Sequence, residues 1–157
     1  NHYFQSQSTG FLVDEFSQWL TKQNIAAPAS QIESVIPLIK ERASFIKDLW
    51  AAADFFFQRP TQYDEAGVKR AVKENTCSLV ADLTLVLNEH PWDSEQTLSE
   101  AVKDWCANHG VGVGQVMMPL RLFLVGAMKG PDVFQIMMLL GKQEVLTRLR
   151  NGLEAFQ

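Results

Sequence analysis

Residues 116–125 read VMMPLRLFLV, the most apolar stretch of the chain. A segment that is apolar on nearly every side is typical of a helix at the centre of a helical bundle. With its extension to Met128, the stretch is interrupted by Pro119, Arg121 and Gly126, and it is shorter than the roughly 20 apolar residues that cross a membrane. It therefore predicts a buried central helix and no membrane-spanning segment.

Apolar residues recur at intervals of three and four on both sides of this stretch, which is the period of amphipathic helices. Downstream, we expect Gly130-Pro131 to begin a helix, because proline is tolerated at the first helical position. We expect Gly141 to end that helix and a last amphipathic helix to follow it. Upstream, we expect Asp93 to cap a helix over residues 94–108.

The first part of the chain has the same period. Residues 11–20 predict one helix, and a second is expected from Ser30, as N-cap, to Trp50. The polar segment 59–64 contains a proline and is unsuited to a helix, so we place a joint directly after it. The sequence predicts an all-α fold of two consecutive helical bundles, residues 1–64 and residues 65–157.

The composition is that of an ordered globular protein, with 46% apolar and 20% charged residues. Lys and Arg total 14 against 18 Asp and Glu, a net charge of -4, so any contact with a polyanion must be local. Cys77 and Cys106 stand 29 positions apart without a CxxC motif, which favours a reducing, cytoplasmic setting. The abrupt start at Asn1 indicates a piece of a longer protein.

No arrangement of catalytic residues is recognisable. The three histidines, His2, His90 and His109, are scattered, and the Cys106-x-x-His109 pair supplies two ligands where a structural zinc needs four. The glycines of Gly110–Gly114 superficially resemble a phosphate loop, but a dinucleotide-binding fingerprint follows a strand, and none is predicted here. We interpret this segment as a helix-to-helix turn and predict no catalytic residue, metal or cofactor in this chain.

Two features suggest a function. Arg121 interrupts the most apolar predicted helix, and a buried arginine is costly unless a partner accepts from its N–H groups. Either it pairs with a carboxylate such as Asp132 or it faces a ligand at the rim of the bundle. The second feature is the turn 129–134, which leads into a predicted helix start where backbone N–H groups suit a phosphate or a base edge.

Both features lie within three segments: MPLRLFLVG at residues 118–126, GPDVFQIMMLLGK at residues 130–142 and VLTRL at residues 145–149. In motif and spacing these segments resemble the C-terminal part of bacterial glutamyl-tRNA synthetases. VIPLIKERA at residues 35–43 is similar to a further helix of that family, and Asn1-His2-Tyr3 loosely resembles the segment that follows its catalytic region. The resemblance covers the whole chain and is weakest between Phe55 and Asn75.

The resemblance implies two consecutive helical subdomains that bind the anticodon loop of tRNA(Glu), in the cytoplasm, for ATP-dependent glutamylation. The catalytic domain, with ATP and Mg, would belong to the same polypeptide outside this chain. The residues at the family's anticodon-contacting positions are Arg121, Gly130, Pro131, Val133 and Phe134, with Arg42 as a further contact from the first bundle. Many relatives have Thr where Gly130 stands, so a hydroxyl contact would be lost here.

Two other classes of function remain open on the sequence. One is a helical protein-interaction module, in which the Met and Phe surface would bind a partner helix. The other is a stand-alone enzyme, which the absence of any recognisable nucleophile, base or metal group disfavours.

Overall fold

A computed structural model describes residues 8–157, which form α-helices, one 3-10 turn at Lys40–Arg42 and no strand. Asn1-His2-Tyr3 lies outside the described residues. The predicted all-α fold is confirmed. No helix in the described part is long and apolar enough to cross a membrane. In chain order the helices are α1 (Thr9–Lys22), α2 (Ala29–Ile39), α3 (Ile46–Phe57), α4 (Glu65–Ala71), α5 (Thr76–Glu89), α6 (Glu95–Asn108), α7 (Val113–Val125), α8 (Val133–Leu140) and α9 (Lys142–Phe156).

The chain divides into two compact units, the first ending at Gln58 and the second spanning Arg59–Gln157. In the first unit, each of α1, α2 and α3 packs against the other two. Their apolar stripes meet in a core that includes Leu12, Phe16, Ile36 and Leu49, all fully buried. Burial of such stripes is the main source of helix stability in proteins of this kind.

The long second helix predicted from Ser30 to Trp50 is in fact two helices, and Ser30 is not its cap. Helix α2 begins earlier, at Ala29, and ends at Ile39. The chain is extended at Phe45, where the Asp48 carboxylate accepts hydrogen bonds from the backbone N–H groups of Ser44 (3.3 Å) and Phe45 (3.0 Å). The Asp48 carboxylate thus replaces the backbone carbonyls that a continuous helix would offer to these N–H groups. The chain can therefore leave one helix and begin another at this point.

Helix α7, which holds the stretch 116–125, is the centre of the second unit. It contacts α4, α5, α6, α8 and α9, and Leu120, Leu122, Phe123 and Leu124 are fully buried. The predicted central helix is therefore confirmed, and its all-round apolar character follows from its having neighbours on every side.

Of two predictions about the neighbouring helices, one agrees with the structure and the other is wrong. The apolar spacing of residues 65–89 predicts either one helix or two that are divided at Asn75-Thr76. The division is present, since α4 ends at Ala71 and α5 begins at Thr76. Asp93, however, is not the cap of α6. Ser94 is, with its hydroxyl accepting from the Thr97 backbone N–H at 3.1 Å.

The segment 59–64 belongs structurally to the second unit, whereas the sequence places the joint after it. The Asp64 backbone N–H donates to the Gly126 carbonyl at 2.8 Å, and the Tyr63 ring packs against the rings of Phe123 and Phe156. Pro60 lies so close to Gly126 (φ +86°) that an added Cβ there would be 2.8 Å from the proline Cβ. Because these contacts are all to α7 and α9, the division falls after Gln58.

A buried arginine ties α9 to the end of α7. Arg148 is 3% exposed; its Nε donates to Glu144 Oε2 at 2.8 Å and its Nη1 to the Leu124 carbonyl at 2.7 Å. Arg59 makes two further hydrogen bonds to the same carboxylate, at 2.8 and 3.0 Å. Satisfied donors of this kind make a buried guanidinium tolerable.

Candidate nucleic-acid interface

Arg121 projects from α7 to the turn that precedes α8. Its Nη1 donates to three successive backbone carbonyls, those of Lys129 (2.8 Å), Gly130 (3.1 Å) and Pro131 (2.8 Å). The half-buried guanidinium thus satisfies carbonyl groups that would otherwise be desolvated without a partner, and it fixes the shape of the turn. The predicted pairing with Asp132 is not formed, because that carboxylate makes other hydrogen bonds. That Arg121 faces a ligand at the rim of the bundle stays a prediction.

Asp132 has a different partner from the one the sequence allowed. Its carboxylate is the N-cap of α8 and accepts from the backbone N–H groups of Phe134 (2.9 Å) and Gln135 (3.3 Å). The helix consequently begins at Val133, and Pro131 stands before the cap instead of at the first helical position. The Asp132 carboxylate accepts from two backbone N–H groups that have no partner within the helix. A proline at the helix start only removes its own N–H group and gains no hydrogen bond, so the aspartate determines where the helix starts.

The turn depends on a left-handed glycine. Gly130 has φ +101°, a backbone conformation that glycine adopts readily and residues with a Cβ rarely do. The positive φ turns the chain back after α7 and directs the carbonyls of residues 129–131 to Arg121. Arginine and glycine are therefore two parts of one structural unit, which we call the Arg121 turn (Arg121 and residues 129–131).

The apolar residues after the turn are part of the core. Val133 is 3% and Phe134 5% exposed, and Pro131 is also buried. Their side chains support the backbone of the turn from below. In this conformation the groups that a base can reach are therefore those of the turn itself and the exposed Asp132.

One side of the Arg121 turn borders a cavity of about 670 Å³ between α6, the start of α7 and the start of α8. Phe134 and Met117 line it, together with Glu95, Glu100 and Asp132, against one cation, Lys103. We call it the acidic cleft. Its carboxylates disfavour the close approach of phosphate groups.

Arg42 lies in the first unit, on the 3-10 turn that ends α2. The side chain is exposed, and its Nη1 donates to the Leu38 carbonyl at 2.9 Å. This contact stabilises the end of the helix and holds the guanidinium at the surface. The five other predicted site residues are all in the second unit, and of them Arg121, Gly130 and Pro131 meet in direct contact.

The sequence did not single out Arg148, Glu144 or the acidic cleft. Arg148 stands four residues after Glu144, on the side of α9 that carries Val145 and Leu149. An Arg within an apolar stripe with Glu at i-4 signals a buried intrahelical pair. The cleft has no such signal, because α6, α7 and α8 meet only in the folded chain.

Comparison with known proteins bears directly on this site. The family described as an anticodon binding domain matches residues 11–153. The glutamate–tRNA ligase of Christiangramia forsetii is 39% identical over 156 residues, which is 99% of this chain and 31% of that protein. The corresponding protein of Flavobacterium johnsoniae is 37% identical over 156 residues, again 31% of its length.

Solved structures agree. The crystal structure of a glutamate tRNA ligase from Elizabethkingia meningosepticum, in complex with its amino acid, superimposes with a TM-score of 0.92 at 34% identity, covering 99% of this chain and 31% of that one. The glutamate–tRNA synthetase of Elizabethkingia anophelis gives a TM-score of 0.84 at 34% identity, covering 98% and 30%. The chain thus spans about a third of the length of the proteins it matches.

Proposed function

The chain belongs to the anticodon-binding domain family, and from that premise we propose that it is the part of a glutamate–tRNA ligase that holds the anticodon loop of tRNA(Glu). A catalytic domain of the same polypeptide, working in the cytoplasm with ATP and Mg, would attach glutamate to the tRNA. The match over residues 11–153, with the Arg121 turn at the family's anticodon-contacting positions, supports this proposal.

No step of the ligation is assigned to residues of this chain. Within residues 8–157 no group of three or more His, Cys, Asp or Glu side chains is placed to hold a metal ion. We propose recognition of the tRNA as the role of this chain, on the match to the anticodon binding domain over residues 11–153. It would place one end of the tRNA so that the other end reaches the catalytic domain.

Anticodon bases are unpaired and splayed, so a protein reads them with side-chain and backbone groups and without a strongly basic surface. We propose that Gly130 and Pro131 offer the backbone of the Arg121 turn to one base, while Val133 and Phe134 support it. Arg121 acts first as a positioning residue that fixes the turn. Arg42, exposed at the end of α2, would supply a second contact from the first unit.

Replacing Arg121 tests this proposal. Arg121→Ala leaves three carbonyls without their donor, so the turn should relax and discrimination between anticodons should fall by about 10- to 100-fold, the equivalent of about 1–3 kcal/mol for a good base contact. Binding of the 157-residue chain to an RNA hairpin carrying the tRNA(Glu) anticodon loop, and to one with a changed anticodon, measures the effect.

Arg150→Ala, at an exposed position of α9, is the matched control and should leave the preference intact. Circular dichroism verifies that both variants remain folded. A wild-type chain that binds the two hairpins equally would contradict the proposed function and favour the protein-interaction alternative. A wild-type preference that Arg121→Ala leaves unchanged would remove Arg121 from the site.

A further inference from the structure

A second cavity of the second unit lies on the α4 side of the start of α7. Its volume is about 430 Å³, and it is lined by the end of α4, the start of α5 and the glycine-rich segment before α7. The polar lining residues are Arg70, Lys73, Asn75, Thr76 and Gln115, and the described residues that line it include no carboxylate. We call this cavity the basic cleft.

The two cations of the basic cleft are exposed. Lys73 Nζ donates to the Lys69 carbonyl at 2.8 Å, which holds the ammonium group near the end of α4. Arg70 has no hydrogen-bond or ion-pair partner among residues 8–157. In a chain of net charge -4, two cations facing a cavity without a carboxylate create a local positive potential that the total charge conceals.

The rest of the lining provides neutral polar groups and accessible backbone. A Cβ added at Gly114 would meet nothing within 4 Å, so a ligand can approach the main chain closely there. Gln115 Oε1 accepts from the Gly112 backbone N–H at 2.8 Å, which orders the turn between α6 and α7. Arg, Lys, Asn, Gln and backbone N–H groups are the donors that proteins use to contact phosphate oxygens.

The basic cleft adjoins the site already described. Met118 lines it and precedes Arg121 by three residues on α7, so the two side chains share one face of that helix. The acidic cleft also begins at the start of α7, where Val113 lines it. A strand of RNA at the Arg121 turn would therefore find attraction for its phosphates in one cleft and repulsion in the other.

We propose that the basic cleft binds backbone phosphates of the RNA whose bases reach the Arg121 turn. This inference rests on the proposed function, which it extends from base recognition to the path of the backbone. Because phosphates carry no sequence information, these contacts should add affinity for any hairpin without altering the preference for one anticodon.

The test is the double variant Arg70→Gln/Lys73→Gln of the 157-residue chain, titrated with the same two RNA hairpins at several KCl concentrations. We expect binding to both hairpins to weaken by about tenfold, and the slope of log K against log salt to become shallower by about 1 to 2, since each lost phosphate contact removes roughly 0.7 to 0.9. The ratio of the two affinities should not change.

Lys73→Gln and Lys103→Gln form a matched pair, because each removes one exposed lysine, the first from the basic and the second from the acidic cleft. Only Lys73→Gln should weaken binding and reduce the salt slope. If the double variant loses its helical circular dichroism signal, Lys73→Gln alone tests the phosphate site, with Lys103→Gln as its control.

The outcomes separate the two proposals. If the wild type prefers the tRNA(Glu) hairpin but the basic-cleft variants bind with unchanged affinity and slope, the phosphate site is wrong and the proposed function stands. The same holds if Lys103→Gln weakens binding as much as Lys73→Gln, or if the double variant changes only the preference. A wild type that binds neither hairpin, or both equally, overturns both proposals.

Discussion

Glu144 is the acidic partner of two arginines, and this makes it sensitive to pH. Hydrogen bonds from Arg59, above all, and from Arg148 lower the pKa of its carboxyl group from 4.5 to about 2, against the opposing effect of burial. Burial lowers the pKa of the Arg148 guanidinium, while its hydrogen bond and attraction to Glu144 raise it. Arginine stays protonated in proteins, so the contact between the two side chains is an ion pair.

We expect Glu144→Gln to lower the free energy of unfolding by about 3 kcal/mol at pH 7, because Arg148 would keep its burial and lose its countercharge. A carboxyl group with a depressed pKa stabilises the fold above its unfolded pKa and loses this effect as pH falls through the folded value. The difference between variant and wild type should therefore shrink between about pH 5 and pH 2. Urea unfolding at a series of pH values measures it.

Glu154→Gln is the control, because Glu154 is exposed on the same helix and its replacement should change stability by less than about 0.5 kcal/mol. A Glu144→Gln effect that is constant down to pH 2 would show that the carboxylate charge is not responsible.

Arg121 shows how far single residues can be interpreted from sequence. Its place in an apolar helix correctly indicates that it needs a partner. That the partners are the carbonyls of residues 129–131 could not be foreseen, because those groups converge only when Gly130 adopts φ +101°. The contact is between backbone atoms and a side chain, and residue types alone do not specify it.

Helix α9 packs against α7 at a distance that only a glycine allows. An added Cβ at Gly152 would lie 2.3 Å from the Phe123 ring, and Phe123 is itself fully buried and stacked on Phe156. The ring cannot move without disturbing the centre of the unit.

We therefore expect Gly152→Ala to lower the free energy of unfolding by about 1–3 kcal/mol through overpacking, although alanine favours the helix by about 1 kcal/mol. Gly114→Ala is the control on α7, where the new methyl group meets nothing within 4 Å, and it should be neutral or stabilising. Urea unfolding compares the two variants. A Gly152→Ala variant as stable as the wild type, or more stable, would show that α7 and α9 are not in close contact.

Helix existence and helix boundaries were predictable to different degrees. The period of apolar residues locates most of the helices, because burial of one face is what forms them. The start of α6 at Glu95 and that of α8 at Val133 differ from expectation by one and two residues. Asp93 and Ser94 are both acceptable near a helix start, and so are Pro131 and Asp132. Which one caps depends on backbone angles that the tertiary structure imposes.

The division of the chain is a property of the whole molecule, and its contacts divide it after Gln58, six residues before the joint that the composition predicts. Residues 59–64 resemble a linker in composition, yet Asp64 caps α4 and Tyr63 packs on two aromatic rings of the second unit. Polarity and a proline identify a segment that is not helical, but they do not tell which neighbour it packs against.

We expect a fragment of residues 59–157 to be more stable than one of residues 65–157 by about 2–4 kcal/mol, through the N-cap, the aromatic contacts and the hydrogen bonds from Arg59 to Glu144. Urea unfolding followed by circular dichroism measures both. Tyr63→Ala in the longer fragment is the control and should reproduce only the aromatic part of the loss. Equal midpoints for the two fragments would place the joint at residue 64.

The opposite charges of the two clefts at the start of α7 have a kinetic consequence. An RNA that approaches this end of the second unit is attracted by the basic cleft and repelled by the acidic cleft, so it is turned as well as pulled. RNA whose phosphates face the basic cleft binds, and RNA whose phosphates face the acidic cleft separates before contact. Such selection acts through space and is screened by added salt within about 10 Å at 0.1 M. Salt should accordingly slow association with RNA much more than it hastens release of RNA already held.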